Sequence, residues 1–145
     1  QGPTLPGDVD FDGQLTARDI DQIAAGIAAA STSSLFDVNR DTKVNAHDFY
    51  HWVHDLKETY LGDTNLDGNF NSSDMIQVFA AGKYETGQTA GWAEGDWNGD
   101  GIDDVGVRRN NLFFLDLNGN RVWDVGIDGV FPFGVSTDTP LAGKW

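Results

Sequence analysis

Hydrophobic positions recur at helical spacing in three stretches of the chain and at strand spacing in its last third. Ile20, Ile23 and Ile27 share one face, with alanines between them. Phe49, Trp52, Val53, Leu56 and Tyr60 do the same over about four turns. Met75, Ile76 and Phe79 make a shorter stripe that ends near Gly82. Each stripe follows a residue suited to cap a helix (Thr16, Asn45 or Asn71), with Asp19, Asp48 or Asp74 three positions on. Three helices of about 10–15 residues are therefore predicted. Residues 82–95 have no period and contain four glycines, which reads as a connector. Beyond them, Val105/Val107, Leu112–Leu117, Val122–Val125 and Val130–Phe133 read as strands, with Asn110-Asn111 as a two-residue hairpin turn. The pattern predicts an α+β chain: three loop–helix repeats packed as a small helical module, then a small antiparallel β unit.

The loops before the helices repeat. Asp8-Val9-Asp10-Phe11-Asp12-Gly13 returns as Asp37-Val38-Asn39-Arg40-Asp41-Thr42 and as Asp63-Thr64-Asn65-Leu66-Asp67-Gly68. Two looser copies, Asp96-Trp97-Asn98-Gly99-Asp100-Gly101 and Asp116-Leu117-Asn118-Gly119-Asn120-Arg121, lead toward strands instead. Such loops suit calcium, which takes about six to eight oxygens from positions 1, 3, 5, 7, 9 and 12 of a twelve-residue loop, with Gly favoured at position 6. Loop one offers Asp8, Asp10, Asp12, the Gln14 carbonyl, Thr16 (directly or through water) and Asp19, with Gly13 at the sixth place. Loop three offers Asp63, Asn65, Asp67, the Asn69 carbonyl, Asn71 and Asp74, with Gly68. Loop two offers Asp37, Asn39, Asp41, the Lys43 carbonyl, Asn45 and Asp48. It has Thr42 in place of the glycine and one carboxylate fewer than loop one, so weaker binding is expected.

Loop four, with Asp96, Asn98, Asp100, the Ile102 carbonyl and Asp104, is of a shorter type, because its twelfth position is Val107. Loop five, with Asp116, Asn118, Asn120 and Asp124, has only two carboxylates and no glycine at its sixth place. Three calcium sites are expected from the helix-leading loops, a fourth from loop four and a fifth from loop five.

Composition sharpens this reading. Of the 23 acids, 20 are Asp, whose short reach suits turns and oxygen ligation, and 15 stand at the ligand positions just named. Without metal those carboxylates repel one another, so folding is expected to depend on calcium. The chain has no cysteine, which removes disulfides and thiolate chemistry and leaves metal as the staple for a small fold. A net charge of −14 argues against nucleic acid and anionic membranes as partners. No apolar stretch approaches the roughly 20 residues that cross a bilayer. The chain begins at Gln1 rather than Met, as expected of a mature or excised piece. Calcium levels outside cells would fill even weak loops, so the expected location is extracellular or on the cell surface.

Other chemistries find less support. His47, His51 and His54 share a face and could hold zinc or copper or titrate, but a solvated helix face explains them as well. No glutamate stands where a zinc hydrolase would need one. A glycosidase needs an acid pair in a cleft, and here the acids are committed as ligands. No catalysis is expected. Asn71-Ser72-Ser73 is formally a glycosylation sequon, but a glycan there would conflict with both the cap and the ligand role.

On these motifs, Gly7–Tyr60 resembles type I dockerin modules, paired EF-hand-like loop–helix repeats with Asp at position 12. The resemblance implies two bound calcium ions and docking onto a cohesin domain of another extracellular protein. In cellulosomal dockerins, loop positions 10 and 11 carry partner recognition. Those places hold Ala17-Arg18 and Ala46-His47 here, and Ser72-Ser73 in the third repeat, Gly62–Lys83, which extends the usual pair. Residues 95–107 and 115–124 resemble one FG-GAP or VCBS-like calcium-bearing β repeat of surface proteins. The expected divisions are a dockerin-like pair at 1–61, a third repeat with connector at 62–94, and a β repeat at 95–145.

Gly95-Asp96-Trp97 is echoed by Gly143-Lys144-Trp145 at the chain's end. One small sheet leaves unpaired edges, and Phe113, Phe114, Trp123, Phe131 and Phe133 need a covering surface. That surface is either the chain's own helices or the next copy, added head to tail as a filament. Excision from a longer protein explains the echo equally well. The expected function is a non-catalytic, calcium-binding structural or assembly module; the alternative is a dockerin that anchors a secreted protein to a cohesin-like receptor.

Overall fold

All three helices start where the cap signals place them. In the computed structural model, which describes residues 5–84, 86–109, 112–116, 124–126 and 129–132, Thr16 caps α1 (Ala17–Ala28), Asn45 caps α2 (Ala46–His51) and Asn71 caps α3 (Ser72–Ala81). Each cap is a reciprocal box, completed by the side chain of Asp19, Asp48 or Asp74. α3 stops at Gly82, whose left-handed φ of 70° closes the last turn.

The second stripe departs from the expected regular helix. Past His51 the chain widens into a π turn over Trp52–Leu56, with the Lys57 N–H donating to the Trp52 carbonyl at 2.8 Å. Tyr60 lies beyond this turn and is exposed, so it does not belong to the stripe. The wider turn lets Trp52 and Val53 both reach the core, and the Trp52 indole N–H donates to the Gly7 carbonyl at 2.9 Å. The third stripe is also corrected. Met75 packs on the core, but Ile76 and Phe79 face solvent and Val78 takes the buried place. The cause is tertiary: α3 packs on a short 3-10 helix, Trp92–Glu94, which sets Val78 against Gly95.

The chain divides into two compact units, Gln1–Asp103 and Asp104–Trp145. The core of the first draws on every repeat: Val9, Ile20, Ile23, Ala24, Phe49, Trp52, Val53, Val78, Trp92 and Trp97. Gly26 sits within α1 because the Phe36 ring occupies the place of its missing Cβ, with ring carbons 2.6 Å from that position. Trp92 comes from the segment that sequence pattern marks only as a connector. The unit reaches past Gly95 because Trp97 is buried in the same core.

In the second unit, β1 (Val105–Arg109), β2 (Leu112–Asp116) and β3 (Gly129–Pro132) form an antiparallel sheet in that order. Val105 pairs with Asp116 and Arg109 with Leu112; Leu112 then pairs with Pro132 and Leu115 with Gly129. Pro132, which has no N–H to donate, stands on an outer strand. Asn110-Asn111, Leu117, Val122, Trp123, Phe133 and Gly143-Lys144-Trp145 lie outside the described residues. Val125 makes a single bridge and is exposed.

Candidate metal centre

Four loops carry one hydrogen-bond pattern. In loop one the Asp12 N–H donates to Asp8 Oδ1 and Asp10 Oδ1, the Gly13 N–H to Asp8 Oδ2, and the Gln14 N–H to Asp12 Oδ1, at 2.8–3.1 Å. Loop two repeats this with Asp41, Thr42 and Lys43 as donors to Asp37, Asn39 and Asp41. In loop three the donors are Asp67, Gly68 and Asn69, and the acceptors Asp63, Asn65 and Asp67. Loop four, although its sequence leads to a strand, has the same four bonds: Asp100, Gly101 and Ile102 donate to Asp96, Asn98 and Asp100. The side chains at positions 1, 3 and 5 are thus fixed by hydrogen bonds from the loop's own backbone in all four loops.

The winding requires left-handed backbone at two places. Position 6 is Gly13, Thr42, Gly68 or Gly101, with φ of 87°, 73°, 85° and 86°. Position 4 is Phe11, Arg40, Leu66 or Gly99, also at positive φ. In loop two Thr42 therefore carries a strain that glycine avoids elsewhere.

Positions 9 and 12 join the loop to its helix. Thr16, Asn45 and Asn71 accept from the N–H of Arg18, His47 and Ser73 as caps. Asp19, Asp48 and Asp74 are fully buried. One oxygen of each accepts from the backbone at the loop's start (Val9 and Asp10, Asn39, or Thr64 and Asn65), the other from position 9. The position-12 acid thus ties both ends of its loop together.

The chemistry fits calcium best in loop one. Asp8, Asp10 and Asp19 each bring a carboxylate oxygen to within 4.8 Å of the others. Oxygens on opposite sides of a calcium ion stand about 5 Å apart, so the cluster has the ion's dimensions. Asp10 Oδ2 is buried and receives no hydrogen bond, although Arg18 Nε stands 3.3 Å away. A buried carboxylate oxygen that receives no hydrogen bond, with only an ion pair to an exposed arginine, leaves room for a bound cation.

In loop three Asp63 is fully buried. Sequence reasoning missed two of its supports. The Thr59 hydroxyl donates to Asp63 Oδ2, and the Trp92 indole N–H donates to the Asp63 carbonyl at 2.8 Å. A lone tryptophan in an aperiodic stretch was the available signal for the second; nothing local marks Thr59. In loop four, burial pushes the Asp96 carboxyl up to about 6, against the backbone N–H groups of Gly101 and Gly99 that favour its charge. Asp103 and Asp104 follow, both buried, and Asp104 opens the second unit. Of loop five, Asn118 and Asn120 lie outside the described residues, Asp116 ends β2 and Asp124 precedes Val125.

The histidine face is not a metal cluster among the described residues. His51 Nδ1 lies 2.7 Å from Asp55 Oδ2, and His54 stacks on Tyr50. No helix among the described residues is long and apolar enough to cross a membrane.

Residues 6–51 match the family model of the dockerin type I domain, about a third of the chain. The match spans loops one and two and ends before the π turn. Dockerin type I domains are non-catalytic, calcium-binding modules that bind cohesin partners and occur in secreted and cell-surface proteins. No curated protein and no solved structure matches the chain.

Proposed function

We propose that this chain is a calcium-loaded docking module of a secreted protein, with ions in loops one, two and three and a fourth in loop four, which attaches its carrier to a cohesin-like protein. The observation that carries it is the loop-one cluster: three carboxylates at calcium spacing, one with a buried oxygen that receives no hydrogen bond and has the Arg18 guanidinium beside it. The shared backbone hydrogen-bond pattern supports the same reading of loops two, three and four, and the dockerin match over residues 6–51 supports the docking role. Calcium serves here as a structural cross-link and carries out no reaction. We read residues 95–145 as a β repeat of the FG-GAP or VCBS kind; the antiparallel strands and the glycine-wound loop four support that reading.

Calcium removal tests the core of the proposal. At about a thousandfold excess over Kd, each filled site adds about 4 kcal/mol to stability. Chelation should therefore lower the melting temperature by tens of degrees, as read by circular dichroism. A melting curve indifferent to chelator would refute calcium as the staple. Capture by immobilised cohesin domains in calcium, lost on chelation, tests the partner. Sedimentation of the purified chain in calcium tests the other assembly, head-to-tail association, whose motif at Gly143–Trp145 lies outside the described residues. A concentration-independent monomer that binds cohesin supports docking; a polymer that ignores cohesin overturns it.

A further inference from the structure

Trp92 stands where three repeats meet. It is fully buried, and its two N–H groups serve different repeats. The indole N–H donates to the carbonyl of Asp63, the first ligand position of loop three, at 2.8 Å. The main-chain N–H donates to Asp21 Oδ1, also at 2.8 Å, on α1 two residues past the Asp19 that closes loop one. The ring packs 6.0 Å from Phe49, the neighbour of the Asp48 that closes loop two. The approach to α1 is close: a Cβ on Gly91 would come within 2.7 Å of Asp21 Oδ2. Glu94 holds the turn by accepting from the Gly91 N–H and pairing with Lys83 Nζ at 2.6 Å.

We infer that Trp92 is a positioning residue that couples calcium binding in loop one to calcium binding in loop three. The inference rests on the calcium reading proposed above. An ion in loop one would draw on Asp19, in the first turn of α1, and so move Asp21, two residues on in the same helix. A close-packed interior passes such a shift on rather than absorbing it. Through Trp92 it reaches the Asp63 carbonyl, so a filled loop one holds the head of loop three in its binding position. Linkage makes the effect reciprocal: each site strengthens the other by the same factor.

The experiment is a calcium titration of the full chain by NMR, with the Gly13 and Gly68 amides reporting loops one and three separately. Disabling loop one with D10N/D12N should weaken calcium at Gly68 about fivefold, and disabling loop three with D63N/D67N should weaken Gly13 equally. In Trp92→Phe, which keeps a ring but removes the indole N–H, both factors should fall to about one. Should that variant not fold, Asp21→Ala against Asp21→Asn carries the test. The first should abolish the coupling; the second, whose side-chain oxygen still accepts, should keep it. Coupling that survives in Trp92→Phe or Asp21→Ala, or independent sites in the native chain, would overturn the inference. A Gly68 amide that never responds to calcium would instead sink the reading of loop three as a site.

Discussion

Loops two and three have the same length, the same cap chemistry and the same four backbone-to-side-chain hydrogen bonds at positions 1, 3 and 5, yet the fold holds them differently. Asp63 is fully buried beneath the Thr59 hydroxyl and the Trp92 indole, whereas Asp37 at the equivalent place is only half-buried. Loop three winds through Gly68 and loop two through Thr42, both at positive φ. The loops thus differ locally at position 6, and in what surrounds the first ligand position. Ligand geometry follows from a few residues in sequence; affinity follows from how firmly distant residues hold that geometry. Neutralising the first ligand of each loop in turn breaks the comparison most directly. In millimolar calcium, Asp63→Asn should cost about 4 kcal/mol, the loss of a site held at about a thousandfold excess over Kd. Asp37→Asn should cost about 2 kcal/mol, because a weaker site is less saturated to begin with. Urea unfolding in calcium measures both, and equal losses would mean that burial of the first ligand does not set affinity.

How far the sequence was legible follows from the same division. The ligand positions, the three caps and the glycines at position 6 all depend on residues within a dozen positions of one another. The structure shows those caps and windings where the spacing places them. Positive φ at Phe11, Arg40 and Leu66 left no sequence signal, because the loop imposes it on ordinary side chains. The π turn was illegible because the tie from Trp52 to the Gly7 carbonyl spans 45 residues. The stripe through Ile76 and Phe79 misled because helical period shows that a face is apolar, not which neighbour covers it. Val78 is buried only because the Trp92–Glu94 turn packs on α3.

Loop four sharpens the comparison from the electrostatic side. Its first ligand, Asp96, is buried like Asp63, and without a cation its carboxyl is raised from 3.8 to about 6, chiefly by that burial. A folded-state value above the unfolded one means that the folded chain holds the proton more tightly. The associated stability is present in full below about pH 4 and is lost as pH rises through about 6. In calcium-free buffer, the unfolding free energy from urea titration should therefore fall between pH 4 and 7, by up to about 3 kcal/mol more in the native chain than in Asp96→Asn. Added calcium should remove that difference by supplying the positive charge the buried carboxylate lacks. Parallel pH profiles for the two chains without calcium would show that Asp96 is not the group responsible.

The smallest effect isolates backbone strain from everything else in loop two. Thr42 stands at φ 73° and donates its N–H to Asp37 Oδ2 at 3.0 Å, as Gly68 does to Asp63 Oδ2 at 2.7 Å. Its side chain is exposed, so Thr42→Gly removes no packing. A side chain in the left-handed region costs about 1–2 kcal/mol, partly offset because glycine makes the unfolded chain more flexible. The net gain should be about 0.5–1 kcal/mol in the calcium-loaded protein, with tighter calcium binding in loop two and no change in loop three. The reverse exchange, Gly68→Thr, should lower stability by a similar amount, since that site too has open space where a Cβ would go. If both substitutions leave calcium affinity untouched, strain at position 6 is not what separates the two loops, and the burial of the first ligand carries the whole difference.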